Sequence, residues 1–541
     1  MGTEKSSTLS SCVNYGKVTV NVGDSAKLAG RAAGIVGYMN GAEDSVLQKD
    51  YNTGTVTLQG EAVADSNSGA AGVVAVDGNN MDTCFNAGTV TGNAIAAGVA
   101  AYIEGTIGNE EVSGCYNAGQ VNANEAAGAI YSVKNIDAFY SNGNAENGVV
   151  TGVNGAAGVV YDANCDVIEC YNSAEVTATA TGSAAAGVVL TAGADTIVDA
   201  CYSNQLAAVN ADCYSSGVVH LANGVVDSCF NFGTISSNSN NTSSRSVGVV
   251  NIAKGTVSNC YHMGGDFAGY MVAGVAGVCE GDVDSCYSSS QTALTGTAFS
   301  AGVACEVQGD ITACYNETTI GASDISCYIA CGVANSVSGK MVDCYNKGAI
   351  YGRMQAAGLV HTSYGSGFSK CFNSGAVTVT GGDTGIAAGI AYSISSDDVT
   401  IDNCLNAAML NAQICDGIAM QAKATGTLKM SSCYNAGSFG AKCDKSLSQN
   451  IVGMTSGSTV EVDADSVFYN VSNKCTTEDY GTSATEAQFQ GTEKVRDDSE
   501  GNPVYMVDAL GESSWVKNTE EGMEFNNCPL DYPVMTWMIP A

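Results

Sequence analysis

A cysteine beside an aromatic residue returns about every thirty residues along most of this chain, and that period constrains the fold more than any other feature. Aligned on the cysteine position, sixteen copies start at Cys12, Asp50, Cys84, Cys115, Phe139, Cys170, Cys201, Cys229, Cys260, Cys286, Cys314, Cys344, Cys371, Cys404, Cys433 and Phe468. Between them runs a second motif of two small residues, a glycine and two aliphatic residues. It reads "AAGIV" (32–36), "AAGVV" (70–74, 156–160 and 185–189), "SSGVV" (215–219), "SAGVA" (300–304) and "AAGLV" (356–360). Its glycines include Gly34, Gly72, Gly98, Gly158, Gly187, Gly217, Gly302, Gly358 and Gly389.

Inside each unit the pattern is that of strands. "GTVTL", "GTVTG" and "GAVTVTG" alternate β-branched with small or polar residues, and glycines punctuate them. An apolar residue stands three places before the cysteine position in most copies, from Leu47, Met81 and Val112 through Ile136 to Met430; only the last copy, with Asp465, departs. An odd offset puts the two residues on opposite faces of a straight strand, so a bend must separate them if both are buried. Short strands at this period, with no helical pattern between them, predict an all-β, elongated β-solenoid over residues 1–475, each unit one coil. At about 4.8 Å per coil, sixteen coils would extend for roughly 75 Å. The glycine motif would occupy a cramped corner, where glycine permits positive φ or close backbone approach.

Like residues of successive coils then stack into columns. One column holds cysteines, a second aromatics, among them Tyr116, Tyr171, Tyr202, Tyr261, Tyr287, Tyr315 and Tyr345, and a third asparagines. Packing explains all three: cysteine is a small buried group, rings stack, and asparagine amides bond from coil to coil. Column sulfurs spaced by one coil are too far apart for a disulfide without backbone movement, so the thiols are expected buried and reduced. Only "CDVIEC" (165–170) and "CYIAC" (327–331) bring cysteines close in sequence, a weak metal signal, and no cofactor is expected. His220, His262 and His361 fall at different phases and are read as surface or corner residues. Carboxylates scatter through corners, no calcium-loop spacing occurs, and no catalytic residues are assigned.

Composition narrows the partners. With 54 acidic against 20 basic residues the net charge is −34, which repels nucleic acid and anionic lipid. No apolar run is long enough to span a bilayer, and the N-terminus lacks the apolar core of a secretory signal. "MGTEKS" fits the loose myristoylation pattern, but a start methionine on a segment of a longer protein is the plainer expectation, because the repeats begin at once. Residues 476–541 differ: they are charged, hold Trp515, Trp537 and all 4 prolines, and are expected to form a mixed C-terminal cap. A short helix within "TEDYGTSATEAQFQGTEKVRDD" (477–498) and a second entered through Pro503 are predicted there.

"CFNAGTVTG" (84–92), "CYNAGQV" (115–121), "CYNKGAI" (344–350) and "CFNSGAV" (371–377), alternating with "AAGIVGY" (32–38), resemble the GLUG-type repeats of bacterial surface proteins over residues 9–475. The close "YPVMTW" resembles the segment that follows such repeats. The chain departs from the family in using Ala-Ala-Gly for Gly-Gly-Leu. The resemblance implies a secreted or cell-surface bacterial setting, in which such repeats accompany adhesins and immunoglobulin A proteases; no H-E-x-x-H motif carries the peptidase association over. The expectation is a non-enzymatic structural or adhesive module with a host or microbial protein or glycan as partner, and with self-association into filaments open. A binder of ice or crystalline polysaccharide is the alternative, since Thr-x-Thr pairs recur, though not at one phase in every coil; a polysaccharide-degrading solenoid enzyme is the third reading.

Overall fold

The computed structural model describes residues 8–22, 30–39, 45–60, 68–78, 80–105, 111–136, 138–322, 327–382, 384–421, 426–454, 459–473, 475, 480–518 and 531–536. The chain is a β-solenoid and divides into two compact units, residues 1–278 and 279–541. One coil shows the plan of both. Glu111–Ser113 precedes the cysteine, Tyr116–Asn117 follows it, Gln120–Ala127 runs into the glycine corner, and Ile130–Lys134 leaves it. Each pairs in parallel with its counterpart in the next coil: Ala138–Tyr140, Gly143–Asn144, Val150–Ala157 and Val160–Asn164. Along the strand before the cysteine, nine rungs stack in the first unit and seven in the second among the described residues.

The bend expected before the cysteine exists and has one cause. In the first unit the preceding residue adopts the left-handed conformation in nine coils, at Ser11, Lys49, Thr83, Gly114, Ser141, Glu169, Ala200, Ser228 and Asn259, with φ of 52–60°. In the second unit Ser285, Ala313, Asp343, Lys370, Asn403 and Ser432 do the same. A left-handed residue reverses the alternation of side chains, so the apolar residue and the cysteine both turn inward: Val198 and Cys201 are fully buried, as are Ile311 and Cys314.

That bend corrects two alignments. Phe139 pairs with Val112 and Val167, so it is the buried apolar residue of its coil and not the occupant of the cysteine position. With Ser141 left-handed, the cysteine place falls to Asn142 and the aromatic place to Gly143, which pairs with Tyr116 and Tyr171. In the last coil Val467 pairs with Cys433 and Phe468 with Tyr434, and Val462 pairs with Met430, so no apolar residue is missing.

The C-terminal segment is built onto the second unit. Thr482–Ala484 adds a strand beside Val467–Asn470, extending the sheet by one rung. Helix α1 (Glu486–Phe489) starts at Thr485, whose side chain and that of Gln488 form a capping box. Helix α2 (Met506–Leu510) begins three residues later than predicted, because Pro503–Val504 is a strand paired antiparallel with Arg496–Asp497. Phe489, Met506, Leu510 and Trp515 then pack on Phe372, Leu405, Tyr434 and Phe468, with the Trp515 indole N–H donating to Asn403 Oδ1 at 2.8 Å. The segment thus covers the flank of the aromatic column as well as its terminal rung. Trp537 lies outside the described residues.

Candidate functional site

The recurring side chains are the first candidates, and the geometry gives each column a bonding role. At the left-handed bend a backbone N–H would be left without a strand partner. The sulfur of the next coil takes it: Cys170 N–H donates to Cys201 Sγ at 3.4 Å, Cys286 to Cys314 at 3.3 Å and Cys404 to Cys433 at 3.3 Å. The thiols reach back to carbonyls of the preceding coil, Cys201 to Val167 O at 3.4 Å, Cys229 to Val198 O at 3.4 Å, Cys260 to Val226 O at 3.7 Å, Cys344 to Ile311 O at 3.6 Å and Cys371 to Met341 O at 3.5 Å. Where the column lacks cysteine, an oxygen does the work. Asp50 Oδ1 accepts from Cys12 N–H at 2.6 Å, and Asn142 Oδ1 from Cys115 N–H at 2.9 Å. The column therefore selects a buried acceptor, and burial pushes the thiols of Cys115, Cys170, Cys229, Cys314, Cys344 and Cys404 well above their ordinary pKa. Cys84 is fully buried in the same column.

The aromatic column lies on the outside and is half-buried. Its rings occupy one another's faces: Tyr51–Phe85–Tyr116 at 4.7 and 5.1 Å, Tyr202–Phe230–Tyr261 at 4.8 and 5.0 Å, and Tyr287–Tyr315–Tyr345 at 4.7 Å each. Tyr171 stacks on Tyr202 at 5.9 Å, and its ring is laid over Gly143, where a Cβ would meet it at 2.3 Å. With faces filled, the column offers ring edges to solvent and no flat platform for a sugar.

The asparagines follow the aromatics and turn inward. Asn86 is typical: its Nδ2 donates to Asn117 Oδ1 at 2.8 Å and to Gly88 O at 3.0 Å, while its Oδ1 accepts from Asn52 and from Gly88 N–H. All its amide capacity is used, as buried polar groups require. In the second unit Asn316, Asn346, Asn373, Asn406 and Asn435 continue the pattern at 2.7–2.9 Å. Directly behind this ladder stands the glycine column. A Cβ on Gly72, Gly98, Gly217, Gly302, Gly358 or Gly389 would lie 2.0–2.1 Å from the next corner glycine's carbonyl oxygen and 2.4–2.7 Å from the asparagine amide. Gly34, Gly158 and Gly187 meet the next carbonyl equally closely. None of these glycines has positive φ. Close approach, and not left-handed geometry, is what demands glycine there.

His262 departs from the surface-or-corner reading, while His220 and His361 lie at the glycine corner. His262 stands in the asparagine column with no exposure, its Nδ1 3.5 Å from Asn231 Nδ2 and its Nε2 without a hydrogen-bond partner among the described residues. Burial lowers the pKa values of His220, His262 and His361 to about 4.

What the repeat does not use gathers at the concave outer side of the glycine corner. There residues six apart face each other across the turn, and the second small residue of the motif is small because these side chains fold over it: Tyr161 and Leu190 cover Ala157 and Ala186, and Tyr392 covers Ala357. In the first unit Tyr131 donates its hydroxyl to Glu125 at 2.5 Å, stacks on Tyr161 at 4.9 Å and meets Tyr102 edge-on at 5.6 Å. Burial, then the Glu125 charge, pushes the Tyr102 phenol up to about 12 and raises those of Tyr131 and Tyr161 further. Farther along, Tyr214 stacks on His220 at 5.4 Å beneath the Arg245 guanidinium. The second unit has its own version: His361 Nε2 lies 2.7 Å from Gln355 Oε1, Gln355 donates to the Tyr392 hydroxyl at 2.7 Å, and His361 stacks on Tyr392 at 4.6 Å. Sequence reasoning missed this corner; the signal it could have used is the outward residue three before the motif glycine paired with that three after it.

No family model, no curated protein and no solved structure matches this chain.

Proposed function

We propose that this chain is a non-enzymatic β-solenoid module of a bacterial surface or secreted protein, which presents a ligand-binding outer face on a scaffold held by its repeats. One observation carries the reading. The cysteines, asparagines and corner glycines are spent on coil-to-coil bonding, so the residues that vary from coil to coil are the outward ones, and those with chemistry converge at the concave corner. Aromatic rings beside carboxylate, amide and imidazole groups suit a hydroxylated ligand, a glycan above all. The GLUG-type resemblance of the repeats supports the setting. Binding to a glycan array, with loss in Tyr161→Ala and Glu125→Gln at unchanged circular dichroism, is the expected result; equal binding by wild type and both variants removes the corner from the reading. Detection of the protein on intact cells by antibody tests the location.

A second reading rests on a different surface. Thr19, Thr57, Thr91, Thr151 and Thr177 fall in one outward column, interrupted by Asn122. Its neighbour column carries threonine at Thr55, Thr89 and Thr234 but Gln120, Glu175 and Ala208 elsewhere. Binding to ice through this face predicts thermal hysteresis that Thr57→Lys and Thr91→Lys abolish.

A further inference from the structure

Two cysteines outside the column, both in the second unit, differ from the rest. Cys443 is partly exposed, in the turn that runs from Gly440 to Ser448, and its Sγ lies 3.1 Å from Ser448 Oγ. The same hydroxyl accepts the backbone N–H of Cys415, at 3.0 Å, one coil earlier. Cys415 is fully buried, its sulfur lies 3.5 Å from Leu410 O, and Ser448 Oγ stands between it and Cys443. An accessible cysteine is thus joined to a buried one through the Ser448 hydroxyl, and backbone bonds from Asp444 N–H to Gln413 O at 2.9 Å and from Gln449 N–H to Cys415 O at 3.1 Å hold the two segments together.

The next residue on the strand, Asp416, stands in the column of Ala388, on the opposite face from Cys415. Asp416 is 1% exposed, and both carboxylate oxygens lack a hydrogen-bond partner among the described residues. A buried carboxylate so placed is costly and is retained at structural expense: a Cβ on Gly453 would fall 2.3 Å from its Oδ1. Its charge opposes that of Cys443. The other ionisable groups acting here are Lys445 and Asp444 on Cys443, and Tyr392, which feels Asp416.

We propose that Cys443 and Cys415 form a thiol–disulfide pair that exchanges with low-molecular-weight disulfides. The Cys443 thiolate attacks one sulfur of the small disulfide, forming a mixed disulfide and expelling one thiolate. Cys415 then attacks the Cys443 sulfur, and its proton goes to the second small thiolate as that leaves. Two protein thiols are oxidised to one disulfide, and one small disulfide is reduced to two thiols. Hydrogen bonds from Cys415 and Ser448, with Lys445 nearby, lower the Cys443 pKa to about 7, which makes it the attacking sulfur. Column thiols, buried and bonded to carbonyls, stay out of the exchange.

The test treats the full chain with oxidised glutathione, quenches with iodoacetamide and maps cysteine peptides by mass spectrometry. The expected product is a Cys415–Cys443 disulfide, with Cys404 and Cys433 unmodified until denaturant is added. Cys415→Ser should trap glutathione on Cys443, and Cys443→Ser should leave Cys415 unmodified. Glutathione that persists on Cys443 in the wild type, or no reaction at either cysteine, overturns the pair. Circular dichroism of each variant, matched to wild type, separates these outcomes from misfolding.

Discussion

Replacing Gly187 with alanine is the sharpest test of the corner geometry. The new Cβ would fall 1.9 Å from Gly217 O and 2.2 Å from Ser203 Oγ, where contacts below 3.0 Å essentially do not occur. The two coils must part there by about 1.1 Å. Three backbone bonds cross that gap, Gly187 N–H to Ser216 O at 3.0 Å and the Val188 and Val189 N–H groups to Val218 O at 3.0 and 2.9 Å. Stretched by that amount they leave the hydrogen-bonding range. At about 1 kcal/mol each, with roughly 1–2 kcal/mol for overpacking, the cost is about 4–5 kcal/mol, or less if one coil tilts. Because φ at Gly187 is not positive, alanine pays no conformational penalty, and the whole loss comes from the contact. Gly16 is the control, since its Cβ would meet nothing closer than Asn14 Oδ1 at 3.6 Å. Urea unfolding and hydrogen exchange should show Gly187→Ala destabilised and the amides of Val188 and Val189 deprotected, with Gly16→Ala near wild type. Equal midpoints and equal protection in the two variants would refute the account of why the corner keeps its glycine.

Cys201→Ala should cost about 2–4 kcal/mol, because it leaves a cavity and strips an acceptor from Cys170 N–H and a donor from Val167 O, while Cys201→Ser, which keeps both bonds, should cost clearly less; chemical denaturation ranks them. The thiols of the column should resist a thiol reagent in the native protein and react in denaturant. His262 adds a pH dependence: its folded pKa of about 4 lies below the unfolded 6.5, so the unfolded chain binds more protons in that window and stability falls as pH drops from 6.5 toward 4, by about 3 kcal/mol at most. His262→Asn, which restores the column residue, should flatten that slope in denaturation at pH 7 and pH 4.5. Trp515→Ala should cost about 3–5 kcal/mol and expose the Tyr434 flank, seen as faster proteolysis after about residue 480.

The period, the strand content, the coil-to-coil asparagine column and the need for a bend before the cysteine were all legible in the residues, because a solenoid repeats its local chemistry in every coil and the repetition averages out accident. Register was not. Phe139 and Phe468 resemble the aromatic-cysteine segment by composition, but the left-handed residue and the acceptor after it, Ser141 with Asn142, set the register through backbone bonds that no alignment of side chains reveals. The cysteine column's purpose was hidden for the same reason, since its partner is a backbone N–H one coil away. Three things belong to the tertiary structure alone. The glycine column needs glycine because the asparagine ladder of the same coil backs onto it, a contact between residues that lie on different sides of the coil. The concave corner brings Glu125 to Tyr131 and Gln355 to His361 through the angle of the turn between them. The C-terminal segment lies against the aromatic column because Tyr434 and Phe468 present an apolar flank that only the stacked coils create. Local pattern determines what one coil is; distances between coils, and between the sides of a coil, decide what each residue is for.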